Sequence, residues 1–219
     1  MRLSYWSARM DIPSSARKKS GTVKRILKAA ASVFSESGFS GARVDEIAKR
    51  AGVNKAMIYY HIGDKEKLYA EVISNVIGNT AKLIEGKIRD IRDPEEKLRV
   101  YVRAFARNID DNPQVAPVMM REVASGGEHL PEVVARDIFR IVNMLRGILN
   151  EGVKDGIFIE TLPFLIHIMV IGAMITYKTS APIRARYSWL PAGIKKLDDR
   201  ISGDIAGEIE KLILRAVKK

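Results

Sequence analysis

The stretch from Val44 to Lys67, VDEIAKRAGVNKAMIYYHIGDKEK, constrains the fold of this chain more than any other segment. Val44, Ile47 and Ala48 give a first short helix its apolar face. Ala51-Gly52-Val53 follows, and Gly52 can take the positive φ that a sharp corner between helices needs. Val53 plugs the angle, and Asn54 can cap a second helix, Lys55 to Ile62, through its side-chain oxygen. This is a helix-turn-helix, and its second helix is free to enter a major groove.

The residues on that second helix suit the groove. Lys55 sits in the first turn, where a recognition helix points at base edges, with Ala56 beside it. Tyr59, Tyr60 and His61 cluster at the far end, within reach of backbone phosphates. A Tyr-Tyr pair on a short helix can also divide its duties, one ring packing while only its hydroxyl reaches out. Asp64 is placed to cap the next helix. Lys65 behind it adds an ammonium to a helix N-terminus, a combination that favours a phosphate oxygen.

The segment from Thr22 to about Val72 resembles the DNA-binding head of the tetracycline-repressor (TetR) family. The resemblance rests on an amphipathic helix ending in Ser37-Gly38-Phe39, the helix-turn-helix, the Tyr59-Tyr60-His61 tripeptide and the capped Lys65-Glu66-Lys67-Leu68 start of a long helix. It implies an all-α fold of about nine helices, with a head over residues 22–68 and a helical effector-binding and dimerisation domain over 69–219. It also implies a homodimer on a double-stranded DNA operator. Phosphate contacts then fall to Tyr59, Tyr60, His61 and Lys65, and base contacts to Lys55 and Ala56, next to the capping Asn54. Three positions depart from the family pattern. Ala42-Arg43-Val44 stands where a Ser or Thr usually caps the first motif helix, which leaves Arg43 as a substitute phosphate ligand. Ala56 replaces a Gly, and Ile62 replaces an aromatic residue.

Charge distribution agrees with a polyanionic partner. The net charge of +11 is concentrated in residues 1–70, which carry +8, while the remaining residues carry +3. A basic pole on a nearly neutral body is the electrostatic footprint of DNA rather than of a membrane, since no long apolar face accompanies the charge. Hydrophobic residues at 47% and charged residues at 29% allow a real core and rule out a disordered chain. The longest apolar run, Leu162 to Tyr177, contains His167 and reads as too short to span a bilayer, and the N-terminus has no apolar signal core; a cytoplasmic location is expected.

Periodicity places the other elements. Met1 to Gly21 lacks a sustained period and reads as an irregular basic arm, in which Arg17-Lys18-Lys19 can drape on DNA or simply be solvated. A helix over Thr22 to Ser37 ends at Gly38, and a long helix runs from Asp64 to about Ile91. Further helices are expected from Asp93-Pro94 to Asp111, Gln114 to Ala124, Pro131 to Lys154, Thr161 to Thr179 and Asp204 to Val217, with a Pro- and Gly-punctuated stretch over Pro182 to Gly203. The Thr161–Thr179 segment is apolar all round and should be buried. It offers more apolar surface than one body needs, so it and the last helix are expected to form a two-fold dimer interface.

No catalytic machinery is legible. Cysteine is absent, and the three histidines, at 61, 129 and 167, lack companions at metal-binding spacing. No phosphate loop or nucleophile elbow occurs. No cofactor, no metal and no catalytic residue are therefore expected. The favoured function is a transcriptional regulator, a repressor released from a palindromic operator by a small hydrophobic effector. The alternatives are an all-helical catalytic or small-molecule-binding protein with an incidental basic end, and a protein that coats DNA without sequence preference. Tyr101, Phe105, Met119, Met120, Phe139, Met144 and His167 are the residues best placed to line an effector pocket, although each Met or Phe can equally be core. His167 is the most telling, because a polar ring in an apolar helix needs a partner when buried.

Overall fold

The computed structural model describes residues 14–186 and 203–219, with side chains from Gly21 onward. The first helix, α1 (Ser14–Gly41), starts earlier than expected. The segment Ser14–Gly21 reads as irregular yet joins the helix: Arg and Lys are good helix formers, and no proline follows Pro13 to stop it before Thr22. Residues 1–13 of the expected arm lie outside the described residues, as does most of the Pro- and Gly-punctuated stretch. Gly38 interrupts α1 with φ 68° and ψ −179°, a conformation that an L side chain resists.

The helix-turn-helix forms as its residues dictate. Helix α2 (Val44–Ala51) ends at Gly52, whose φ of 63° and ψ of 41° let its N–H turn back to the carbonyls of Ala48 and Lys49. Asn54 accepts from the Ala56 N–H at 2.9 Å and starts α3 (Lys55–His61). Asp64 accepts from the Lys67 N–H at 2.8 Å and starts α4 (Lys65–Ile88). Asp93 caps α5 (Pro94–Asp111), where Pro94 occupies the first turn and forfeits no hydrogen bond. Then follow α6 (Val115–Ala124), α7 (Glu132–Lys154), α8 (Pro163–Thr179), α9 (Ala181–Arg186) and α10 (Ile205–Val217). Among the described residues, bridging backbone outside helices is confined to Phe158 opposite Lys218, which pins the C-terminus to the α7–α8 connection.

Two apolar clusters organise the molecule. Ile26, Phe34, Ile47, Ile58, Leu68 and Tyr69 are at the centre of the first, with Ile62 and Val53 packed at its edge. The second joins Leu98, Tyr101, Leu145, Ile148, Val170 and Ile213 from the later helices. Helix α4 contributes to both, and Ile77 touches both clusters. Val118 of α6 and Val134 of α7 reach into the first, so the head is packed against the body rather than tethered to it.

Helix α8 corrects an expectation of burial. Only Ile166, His167, Val170 and Met174 are buried, whereas Leu165 and Met169 are exposed on the opposite side and Phe164 and Ile168 are half-exposed between the two. Uniform apolarity placed the helix inside; among the described residues, body helices pack on one side of it only. The run Pro163–Arg186, 24 residues, is also long and apolar enough to cross a membrane by length and composition. That corrects the estimate made from Leu162 to Tyr177 alone, because α9 extends the helical run.

Candidate DNA-binding surface and effector cavity

On the head, the expected site residues lie on α3, at the start of α4 and just before α2. The Lys55 ammonium lies 3.0 Å from the Asp45 carboxylate in the first turn of α2, and this hydrogen bond raises the Lys55 pKa. Arg43, exposed, precedes α2 with an extended backbone and gives no side-chain cap. Ala56 is exposed. Tyr59 and Tyr60 are 49% and 72% exposed, so neither ring serves as core. Tyr60 meets the half-buried His61 edge-on, with centroids 5.0 Å apart. Lys65 sits 4.6 Å over the Phe39 ring and donates to the Ser40 carbonyl at 3.4 Å, tying the start of α4 to the turn before α2. Cations and phenol rings at two helix starts and one helix end can engage phosphates and base edges together.

In the body, a cavity of about 530 Å³ lies between α4, α5, α6, α7 and α8. Of the residues expected there, Phe105, Met119, Met120 and His167 line it. Tyr101 lies behind it, its hydroxyl 2.6 Å from His167 Nδ1. Phe139 and Met144 are elsewhere, and both are corrections. The buried stripe of α7 runs through Val134, Ile141, Leu145 and Ile148, which turns Phe139 outward; it is 71% exposed and shares a surface depression with Met144, Arg136 and Arg140.

The polar lining was not foreseen. Thr80, Asn108, Asn112 and Thr176 face the cavity. The signal lay in the register: Tyr101, Phe105, Asn108 and Asn112 follow helical spacing along the inner face of α5, so uncharged amides on a buried stripe mark the wall. Desolvation lowers the His167 pKa to about 4, and burial raises that of Tyr101. Because the folded His167 is depressed below its unfolded value, the unfolded chain binds more protons between them, and stability must rise with pH across that interval. We expect acid denaturation to include a loss of stability as pH falls from about 6.5 to about 4. His167→Phe should flatten that part of a stability-against-pH curve; an unchanged curve would contradict the buried neutral ring.

A junction between head and cavity was also missed. The Tyr69 hydroxyl of α4 donates to the buried carboxylate of Glu122 on α6, which also accepts the His129 N–H at 3.2 Å. His129 packs at a tilt against Phe39 with centroids 4.5 Å apart and meets the Ser40 hydroxyl at 3.1 Å. Arg121 donates to the Glu36 carbonyl at 3.1 Å, just before the Gly38 break. Helix α6 therefore touches the turn that carries Ser40 on one side and lines the cavity with Ala116, Met119 and Met120 on the other. No local pattern announces such long-range pairs.

Comparison with known proteins follows the same division. The model of the family described as bacterial regulatory proteins, tetR family, matches residues 26–72, and that of the tetracyclin repressor-like C-terminal domain matches residues 92–179. The HTH-type transcriptional repressor NicS of Pseudomonas putida is 28% identical over 209 residues, covering 93% of this chain and 96% of NicS. The crystal structure of HlyIIR, a hemolysin II transcriptional regulator, is 28% identical, with a TM-score of 0.61 over 92% of this chain and 99% of that one. FadR of Bacillus subtilis, crystallised with stearoyl-CoA, shares the fold at 22% identity, with a TM-score of 0.66 over 87% of this chain and 97% of that one. Both halves of the molecule, and a relative matched along nearly its whole length, lead to one assignment: the chain belongs to the TetR family of DNA-binding transcriptional regulators.

Proposed function

We propose that this regulator is a homodimeric repressor that leaves a palindromic operator when a small apolar effector enters the α4–α8 cavity. The single observation that carries this is helix α4: its first residue, Lys65, belongs to the basic head surface, and its Val76, Ile77 and Thr80 line the cavity. A ligand that wedges α4 or α6 re-aims the head, provided it binds the operator-incompetent state more tightly. The operator surface comprises Arg43, Asn54, Lys55, Ala56, Tyr59, Tyr60, His61 and Lys65. The exposed apolar side of α8, with Leu212 of α10, meets its copy in the dimer, which explains why Leu165 and Met169 face outward. That FadR holds stearoyl-CoA supports a fold able to enclose a long apolar tail. The protein works on DNA in the cytoplasm and performs no catalytic step.

The test is selection of an operator from a random duplex pool, followed by release from it on adding lipophilic compounds. A palindrome that the protein leaves on ligand binding supports the reading; binding that no compound reverses removes its effector half. Asp45 provides a finer check. Its carboxylate holds Lys55 back and repels phosphate, so Asp45→Asn should tighten binding to non-operator DNA by about threefold to tenfold and narrow the preference for operator. Gel-shift titration against both duplexes at fixed salt measures this, and unchanged non-operator affinity would contradict it.

A further inference from the structure

We infer that the effector is an uncharged, largely apolar molecule bearing a carbonyl-type acceptor, which takes a hydrogen bond from Nε2–H of His167; this deepens the effector reading above and rests on it. Among the described residues, the cavity lining contains no Lys, Arg, Asp or Glu. A carboxylate or phosphate entering it would give up its water with no cation in exchange, so the site selects against anions. An apolar molecule loses nothing there, and gains wherever one polar group finds its complement.

The hydrogen-bonding capacity of the wall narrows the choice. Thr80 donates to the Val76 carbonyl, and the Asn108 amide N–H groups are taken by that same carbonyl and by the Thr80 oxygen. Asn112 donates one of its two amide hydrogens to the Asn108 carbonyl. His167 differs in being held among aromatic rings. Its Nδ1 is engaged by the Tyr101 hydroxyl at 2.6 Å, and the ring otherwise faces the cavity. Two proton arrangements fit that distance. Were Nδ1 the donor, the buried Tyr101 O–H would have no acceptor, an unpaired group that folded proteins avoid. Tyr101 therefore donates to Nδ1, and the neutral ring carries its own hydrogen on Nε2, the edge left for a ligand. Burial keeps the ring uncharged, in agreement with a pKa of about 4. Phe105 and Phe164 flank the imidazole, with centroids 5.7 and 6.4 Å away, and fix the direction of that N–H. A fixed donor among apolar walls recognises a ketone, ester or lactone oxygen.

The experiment uses the full-length protein and three matched probes: hexanophenone, hexylbenzene and 6-phenylhexanoate, titrated calorimetrically at pH 7. Hexanophenone should bind about tenfold more tightly than hexylbenzene, the gain expected from one hydrogen bond to an otherwise unpaired donor. The carboxylate should bind more weakly than either. His167→Phe should erase the ketone's advantage while hexylbenzene still binds; if that variant fails to fold, Tyr101→Phe, which frees the tautomer, should reduce the advantage instead. The inference is overturned if hexylbenzene matches the ketone in the parent, if the carboxylate binds best, if no probe binds, or if the folded variant keeps the preference. Operator binding is followed in parallel. A ketone preference without operator release supports the donor assignment and overturns the effector reading, whereas operator release by equally bound ketone and hydrocarbon does the reverse.

Discussion

Leu165→Arg should give a folded monomer that has lost operator affinity by about a hundredfold or more. Leu165 is 51% exposed in the protomer and sits beside the exposed Met169 on the outward side of α8, so a charge there costs the protomer little. In the proposed dimer the same guanidinium would be buried against its two-fold copy with no counter-charge, which the interface cannot accept. A palindrome is read by two heads whose binding is linked, and separating them removes the effective concentration of the second head. Light scattering at micromolar protein and gel-shift on the selected operator measure the two consequences. A dimer that persists in the variant would move the interface away from α8.

Glu122→Leu should lower stability by about 2–5 kcal/mol, because it strips the acceptor from two donors, the Tyr69 hydroxyl and the His129 N–H. For a chain of this size that corresponds to a fall of roughly 5–15 °C in Tm. The more informative measurement is the double-mutant cycle with Tyr69→Phe. Alone, Tyr69→Phe leaves one carboxylate oxygen of Glu122 unpaired; with Leu at 122 it removes a hydroxyl that has no partner. The two changes should therefore be strongly non-additive. The same pair should weaken the coupling between effector and operator, since Glu122 ties the cavity helix α6 to α4 and, through His129, to the Phe39–Ser40 turn. Additive effects with intact coupling would make the junction ordinary packing.

The head and the cavity differ in how far the sequence reveals them, and the reason is the range of the forces involved. The head is legible because its determinants are local. Gly52 must turn the chain within one residue, Asn54 and Asp64 cap helices two and three residues away, and the tyrosines sit on a helix too short to bury them. The cavity is legible only in part. Phe105 and His167 share the period of their buried faces, but Phe139 carries the same chemistry on the wrong side of α7, and only the packing of that helix on α4 and α5 decides which side is inner. Glu122 and His129 could not be found at all, since their partners, Tyr69 and Ser40, are distant in sequence. The start of α1 failed for the opposite reason: a run of basic residues has no apolar period, yet it continues a helix already stabilised further along by Ile26, Ala30 and Phe34. The outward apolar side of α8 reads as burial from composition, and in the proposed dimer a second copy of the chain covers it.

A salt titration of Lys55→Ala and Lys65→Ala on operator and scrambled duplexes tests the head surface most directly. Lys55→Ala should cost about 1–3 kcal/mol on the operator, relaxing preference at one base position, with little change on scrambled DNA. Lys65→Ala should weaken both duplexes alike and make the slope of log affinity against log salt shallower by about one unit. If both variants bind operator and scrambled DNA with the affinities and salt slopes of the parent, the surface built from α3 and the start of α4 is not where this protein meets DNA.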